Sequence, residues 1–170
     1  MNKFSGRIIE DVIYEDTKYK YRGEIETVSK CWDMTPCFSY EYLILDDANG
    51  FICDKYTMKE YQRYFKRVKE YSKKKIGVLL EESKSGKRRD HFKINEDICP
   101  KMFEALKKVF NINHKIDDSM APSVGHFHLY DVDEQLDPTD FRPVVHFFLG
   151  NKGTFHIVCY DPNHKFHSKK

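Results

Sequence analysis

Apolar and polar residues alternate in RIIEDVIY (7–14) and in YKYRGEIETV (19–28). That two-residue period belongs to a strand with one buried face, and the intervening EDTK supplies turn residues, so the chain is expected to open with an antiparallel hairpin. SYEYLILDDANGFICD (39–54) fits two readings. Tyr40, Tyr42 and Ile44 alternate as in a strand, with Ala48, Asn49 and Gly50 as a turn. Alternatively, Thr35 caps a helix that starts at Pro36, aligns Phe38, Tyr42 and Leu45, and stops before Gly50. The strand reading is preferred. The period changes to that of a helix in TMKEYQRYFKRVKEYSKKK (57–75). There Thr57 and Glu60 have capping-box spacing, and Met58, Tyr61, Tyr64, Phe65, Val68 and Tyr71 form an apolar stripe. Three lysines close this helix where cations suit its dipole.

IGVLLEE (76–82) and HFKI (91–94) read as short strands around the basic loop SKSGKRRD. PKMFEALKKVFN (100–111) reads as a second helix entered at Pro100, burying Met102, Phe103, Leu106, Val109 and Phe110. The last third returns to period two in GHFHLYD (125–131), RPVVHFFLG (142–150) and GTFHIVCYD (153–161), with the acidic loop VDEQLDPTD (132–140) between the first two. One face of these strands collects Phe127, Leu129, Val145, Phe147, Leu149, Phe155, Ile157 and Cys159, and is expected to be core. The other carries His126, His128, Tyr130, Arg142, His146, His156 and Tyr160. A three-residue loop at Asn151, Lys152 and Gly153, with Gly153 left-handed, would set Phe148 opposite His156 and His146 opposite Val158. The expected fold is α+β: a single domain over residues 1–170, with a mostly antiparallel sheet of six to eight strands, two principal helices, and the hairpin 142–160 at its centre.

Composition supports folding. The chain has 170 residues, 40% hydrophobic and 33% charged, with 11 Tyr and 13 Phe, values that belong to globular proteins rather than disordered ones. No apolar run approaches the ~20 residues needed to span a bilayer, and acids interrupt the first twenty residues where a signal peptide needs an apolar core. A cytoplasmic protein with no membrane partner is expected. The five cysteines, Cys31, Cys37, Cys53, Cys99 and Cys159, are odd in number and lack any C-x-x-C pair, so neither a disulfide framework nor a zinc ribbon is indicated.

The net charge of +2 hides an uneven distribution. Residues 55–93 hold fourteen Lys/Arg against five Asp/Glu, whereas residues 1–54 hold six against eleven. The basic segment 55–93 therefore suggests an acidic partner, RNA or protein.

Three constellations carry candidate chemistry. In the first, His146 lies on one hairpin strand and Asp161 ends the next, followed by Pro162 and Asn163. This H…DPN ending resembles the bacterial effector branch of the papain-like cysteine proteases and deamidases. The resemblance implies an upstream cysteine nucleophile, with His146 as general base and Asp161 as the carboxylate that orients it. Cys37 in TPCFSYEYL is the preferred nucleophile; if 36–47 is helical it would sit at the second helical position, where the dipole could lower its pKa. Cys31, in KCWD, has the Cys-Trp pair of papain-like enzymes, but neither cysteine has the family's Gly-rich lead-in. The implied activity is an effector-like acyl hydrolase or deamidase acting on a protein, with no cofactor.

The second constellation is His126-x-His128, a metal pair that a third imidazole from His146 or His156 would complete. The third is a histidine-bearing sheet face, including His156, beside Lys84, Lys87, Arg88 and Arg89, which suits RNA binding or a metal-independent ribonuclease toxin. A non-catalytic interaction module, such as an immunity or phage-defence factor, needs only a charged surface on an α+β core.

Overall fold

The structure, a computed structural model, describes residues 7–8, 12–15, 18–21, 26–44, 57–94, 102, 104, 106–107, 124–135 and 143–162. Four short strands open it: β1 (Arg7–Ile8), β2 (Val12–Glu15), β3 (Lys18–Tyr21) and β4 (Glu26–Thr27). β2 pairs antiparallel with β3, Glu15 opposite Lys18, and β1 pairs antiparallel with β4. The expected opening hairpin is therefore present, as two ladders of two strands.

The main sheet has five strands in the order β5-β9-β8-β7-β6: β5 (Cys37–Ser39), β6 (Lys93–Ile94), β7 (Val124–His128), β8 (Val144–Leu149) and β9 (Thr154–Asp161). All neighbours are antiparallel except β5, which runs parallel to β9 at one edge. The hairpin β8–β9 is interior, as its continuous apolar pattern predicts. Its loop is the three-residue one expected, with Lys152 and Gly153 both left-handed at φ 55° and 73°.

Helix α1 (Met58–Tyr71) begins as its sequence dictates. The Glu60 N–H donates to Thr57 Oγ1 at 3.2 Å, and the Thr57 N–H donates to Glu60 Oε2 at 2.6 Å, a complete capping box. The segment read as the strand IGVLLEE is instead helix α2 (Ile76–Lys84). Its first donors find backbone acceptors: the Ile76 N–H donates to the Met34 carbonyl and the Gly77 N–H to the Trp32 carbonyl, both at 2.9 Å. A helix whose orphan N–H groups are met this way needs no side-chain cap, and Ile76, Leu79 and Leu80 then share a buried face. Within the expected helix 100–111, the described residues Met102, Glu104, Leu106 and Lys107 are helical, with Met102 and Leu106 buried. The stretch 39–54 is neither a full strand nor a helix where described: strand covers 37–39, a turn follows at 41–42, and residues 45–54 lie outside the described residues.

The core lies between one sheet face and the two helices. Phe92, Phe147 and Phe155 form a stack, with Phe147 and Phe155 4.3 Å apart at 9°. Phe127 packs edge-on to Tyr71 at 5.1 Å. Gly125 on β7 is required here, since a Cβ would stand 2.2 Å from Phe147 Cζ. Among the described residues no helix is long and apolar enough to cross a membrane, and Cys31, Cys37 and Cys159 form no disulfide with one another.

Candidate functional site

The sheet face opposite the helices carries the histidines, and a β-bulge decides what joins them. Phe148 is opposite His156, as expected, and Phe147 is opposite Ile157, but His146 pairs with Cys159 rather than Val158. Val158 is thus the extra residue of the bulge. An insertion of one reverses the facing of everything after it. Tyr160 therefore moves to the core face, where its hydroxyl donates to Glu60 Oε1. Cys159 and Asp161 move to the histidine face. Cys159 is buried as expected but on the histidine face, and Tyr160, expected beside the histidines, lies on the opposite face.

The consequence is a buried polar row. His146 Nε2 lies 3.5 Å from Asp161 Oδ2, and both residues are buried. His126, opposite His146 in the register, has its ring centroid 5.8 Å away, and His128 follows at 6.0 Å from His126. The exposed His91 ends the row, 5.0 Å from His128. Among the described residues no group of three His, Cys, Asp or Glu side chains is arranged to hold a metal ion. His156 is separate: its ring lies over Phe148 at 4.7 Å and 14°, with Tyr42 edge-on at 5.2 Å. Burial lowers its pKa to about 4, since desolvation penalises the charged imidazolium.

Of the three residues in the predicted Cys-His-Asp set, His146 and Asp161 come together and Cys37 does not join them. Cys37 lies on edge strand β5 opposite Thr154, five residues along β9 from the Cys159 that faces His146. At ~3.3 Å per residue the offset is roughly 16 Å. Cys37 is exposed and in a strand, so no helix dipole acts on it. The thiol next to His146 is that of Cys159, which is fully buried. Cys53, Cys99, Arg142 and Asn163 lie outside the described residues.

The basic segment divides into spent and unspent charge. Arg88, whose side chain is only 3% exposed, pairs with Asp90, Glu70 and Glu82. Asp90 also accepts from the Tyr71 hydroxyl at 2.6 Å, and Arg67 is held against Asp131. Burial pushes the Asp90 carboxyl up, but hydrogen bonds from Arg88 and Tyr71 and the nearby guanidinium of Arg67 outweigh it and hold it below the usual carboxylate range. Arg63 pairs with Glu134, Lys74 with Glu82, Lys75 with Asp33, and Arg89 with Asp133. Two members of the proposed RNA-binding quartet are therefore ion-paired, Arg88 with its side chain buried and Arg89 at the surface; Lys84 and Lys87 are also exposed. Lys66, Lys69 and Lys73 are exposed as well, and make no ion pair among the described residues.

The surface that sequence reasoning missed lies on α1. The expected apolar stripe is split: Tyr64 and Tyr71 are buried with Glu60 and Arg67, at i, i+4, i+7 and i+11. Met58, Tyr61 and Phe65 are 73%, 41% and 60% exposed, and Tyr40, joined to Tyr64 by a 3.0 Å hydroxyl–hydroxyl bond, is 47% exposed. The only advance signal was that the stripe was too wide for one buried face.

No family model, curated protein or solved structure matches the chain.

Proposed function

We propose that this chain is a non-catalytic interaction module whose binding surface is the outer side of α1 with Tyr40. The observation that carries this reading is the exposure of Met58, Tyr61 and Phe65 along one helix whose other side is fully used by the core. Apolar ridges of this kind are costly in water and mark interaction sites. Tyr64 braces Phe65 edge-on at 5.5 Å and Tyr40 at 6.4 Å, so the ridge is a pre-ordered aromatic surface of the sort that concentrates binding energy. Cysteine-dependent acyl chemistry has less support. It needs a thiol both reachable from solvent and near His146, and among the described cysteines Cys37 meets only the first condition while Cys159 meets only the second.

The test is native capture with the full-length chain, comparing wild type, Phe65→Asp and His146→Gln. The expected outcome is that co-purifying proteins are lost with Phe65→Asp and kept with His146→Gln. The opposite pattern would move the functional centre to the histidine face.

A further inference from the structure

We infer that the occupant of the α1 surface is an acidic amphipathic segment of a partner protein, docked as a helix with its apolar side chains on Met58, Tyr61 and Phe65 and its carboxylates on Lys66, Lys69 and Lys73. This rests on the interaction-module reading and adds the chemistry of the partner. Cations that make no ion pair among the described residues point to that chemistry. Along residues 55–93 the cations that face inward or toward the acidic loop are neutralised within the fold, through Arg63 with Glu134, Arg67 with Asp131, Arg88 with Asp90 and Arg89 with Asp133. Lys66, Lys69 and Lys73, which make no ion pair among the described residues, lie together on the solvent side of α1 and just past its end. Met58, Tyr61 and Phe65 are spaced i, i+3, i+7, and Lys66, Lys69 and Lys73 repeat that spacing eight residues, about two turns, further on.

At ~100° and ~1.5 Å per residue, the apolar residues occupy the first half of the exposed side. The lysines fall beside and beyond them, continuing past the end of the helix at Tyr71. Exposed acids are missing from this side of α1, since Glu60 is buried and Glu70 is half-buried against Arg67 and Arg88. A second helix presenting its own i, i+3 or i+4, i+7 apolar residues next to a row of Glu or Asp matches both features, whereas phosphate alone would leave the apolar ridge in water. Opposite charge across such a rim sets partner choice and the rate of encounter more than the final affinity.

The experiment uses the full chain and three synthetic helical peptides. All share apolar residues at i, i+3 and i+7, and their flanking positions are Glu, Gln or Lys. Binding is read by fluorescence anisotropy at low and high salt. The acidic peptide is expected to bind most tightly and to weaken with salt. Phe65→Asp, and the milder Phe65→Ala, should each lose about tenfold or more. The triple variant Lys66→Glu, Lys69→Glu, Lys73→Glu should lose the acidic peptide and gain the basic one. All these positions are exposed, and thermal unfolding confirms that each variant is folded.

Equal binding of the three peptides with continued dependence on Phe65 overturns the acidic partner and leaves the interaction-module reading standing. Binding indifferent to Phe65, or no binding of any peptide, removes the proposed docking mode. Anionic lipid vesicles and a single-stranded RNA oligomer are run alongside. Phe65-dependent binding to either one in place of the acidic peptide assigns the surface to that ligand instead.

Discussion

The hydroxyl of Tyr160 on β9 donates to Oε1 of Glu60 on α1, across 100 residues of sequence, while Oε2 of the same carboxylate accepts the Thr57 N–H that starts the helix. One buried carboxylate thus closes the N-terminus of α1 and fastens it to the sheet. Tyr160→Phe removes a partner from that carboxylate and is expected to cost about 1–3 kcal/mol. Thr57→Ala, which removes the reciprocal cap, is expected to cost about 1 kcal/mol. Urea unfolding midpoints of the two variants and their double mutant check both, and the two effects should be non-additive because they act through Glu60.

The ion cluster around Asp90 makes a stronger prediction. Arg88→Ala leaves a buried carboxylate without its main partner, and breaking such a pair from one side is expected to cost about 3–5 kcal/mol. The Asp90 carboxyl is held below its ordinary value. Its contribution is therefore present above the unfolded-state pKa of ~3.9 and is lost as pH falls below it toward the folded value. Asp90→Asn should be less stable at pH 7 and should lose less stability than wild type on further acidification below pH 4. Parallel stability–pH curves would show that Asp90 is not the titrating group.

What the sequence revealed and what it hid divide by range. The capping box of Thr57 and Glu60, the hairpin loop 151–153 and the Phe148–His156 pairing were legible because each is set within a few residues of chain. The Val158 bulge was not, since nothing local marks it, and one inserted residue exchanged the facing of Cys159, Tyr160 and Asp161. The helix α2 was misread because a short apolar run fits either period, and the carbonyls of Trp32 and Met34 that cap it lie more than forty residues away. Burial of Glu60 and Arg67 on α1 was likewise invisible, because Tyr160 and Asp131, which satisfy them, are distant in sequence. The inward-facing Arg88 belongs to the same class.

His156 should tie stability to mild acid. Its folded-state pKa is lowered to about 4 from 6.5, so the unfolded chain binds the proton more readily than the folded one across that window. Stability is then full above pH ~6.5 and declines as pH drops toward 4. His156→Gln, which loses the stacking on Phe148, should be less stable at pH 7 yet show a flatter decline between pH 6.5 and 4. Thermal unfolding across that range measures the slope, and an unchanged slope would assign the decline to other groups.

Gly77 is predicted to be intolerant of a side chain although it lies in a helix. A Cβ there would stand 2.3 Å from the Trp32 indole, which covers this face of α2. Alanine normally improves a helix interior, but here overpacking against a ring should outweigh propensity and cost about 1–3 kcal/mol. Gly77→Ala in a Trp32→Ala background should recover part of the loss. Equal penalties in the two backgrounds would mean that Trp32 is not the obstacle.

Thiol reactivity separates the interaction module from cysteine chemistry. Cys37 is exposed at the sheet edge, whereas Cys31 and Cys159 are buried. Native labelling with iodoacetamide should therefore modify Cys37 ahead of Cys31 and Cys159, for reasons of access alone. Because Cys37 pairs with Thr154 and His146 with Cys159, five residues further along β9, His146→Ala should leave the Cys37 rate unchanged. Cys159 should react only as the protein opens, so its rate should rise with destabilising variants such as Arg88→Ala. Peptide mapping after timed labelling measures each site separately. A Cys37 rate that falls several-fold in His146→Ala, or a Cys159 that labels fast near pH 6 in the intact fold, would indicate an activated thiolate and restore the catalytic reading.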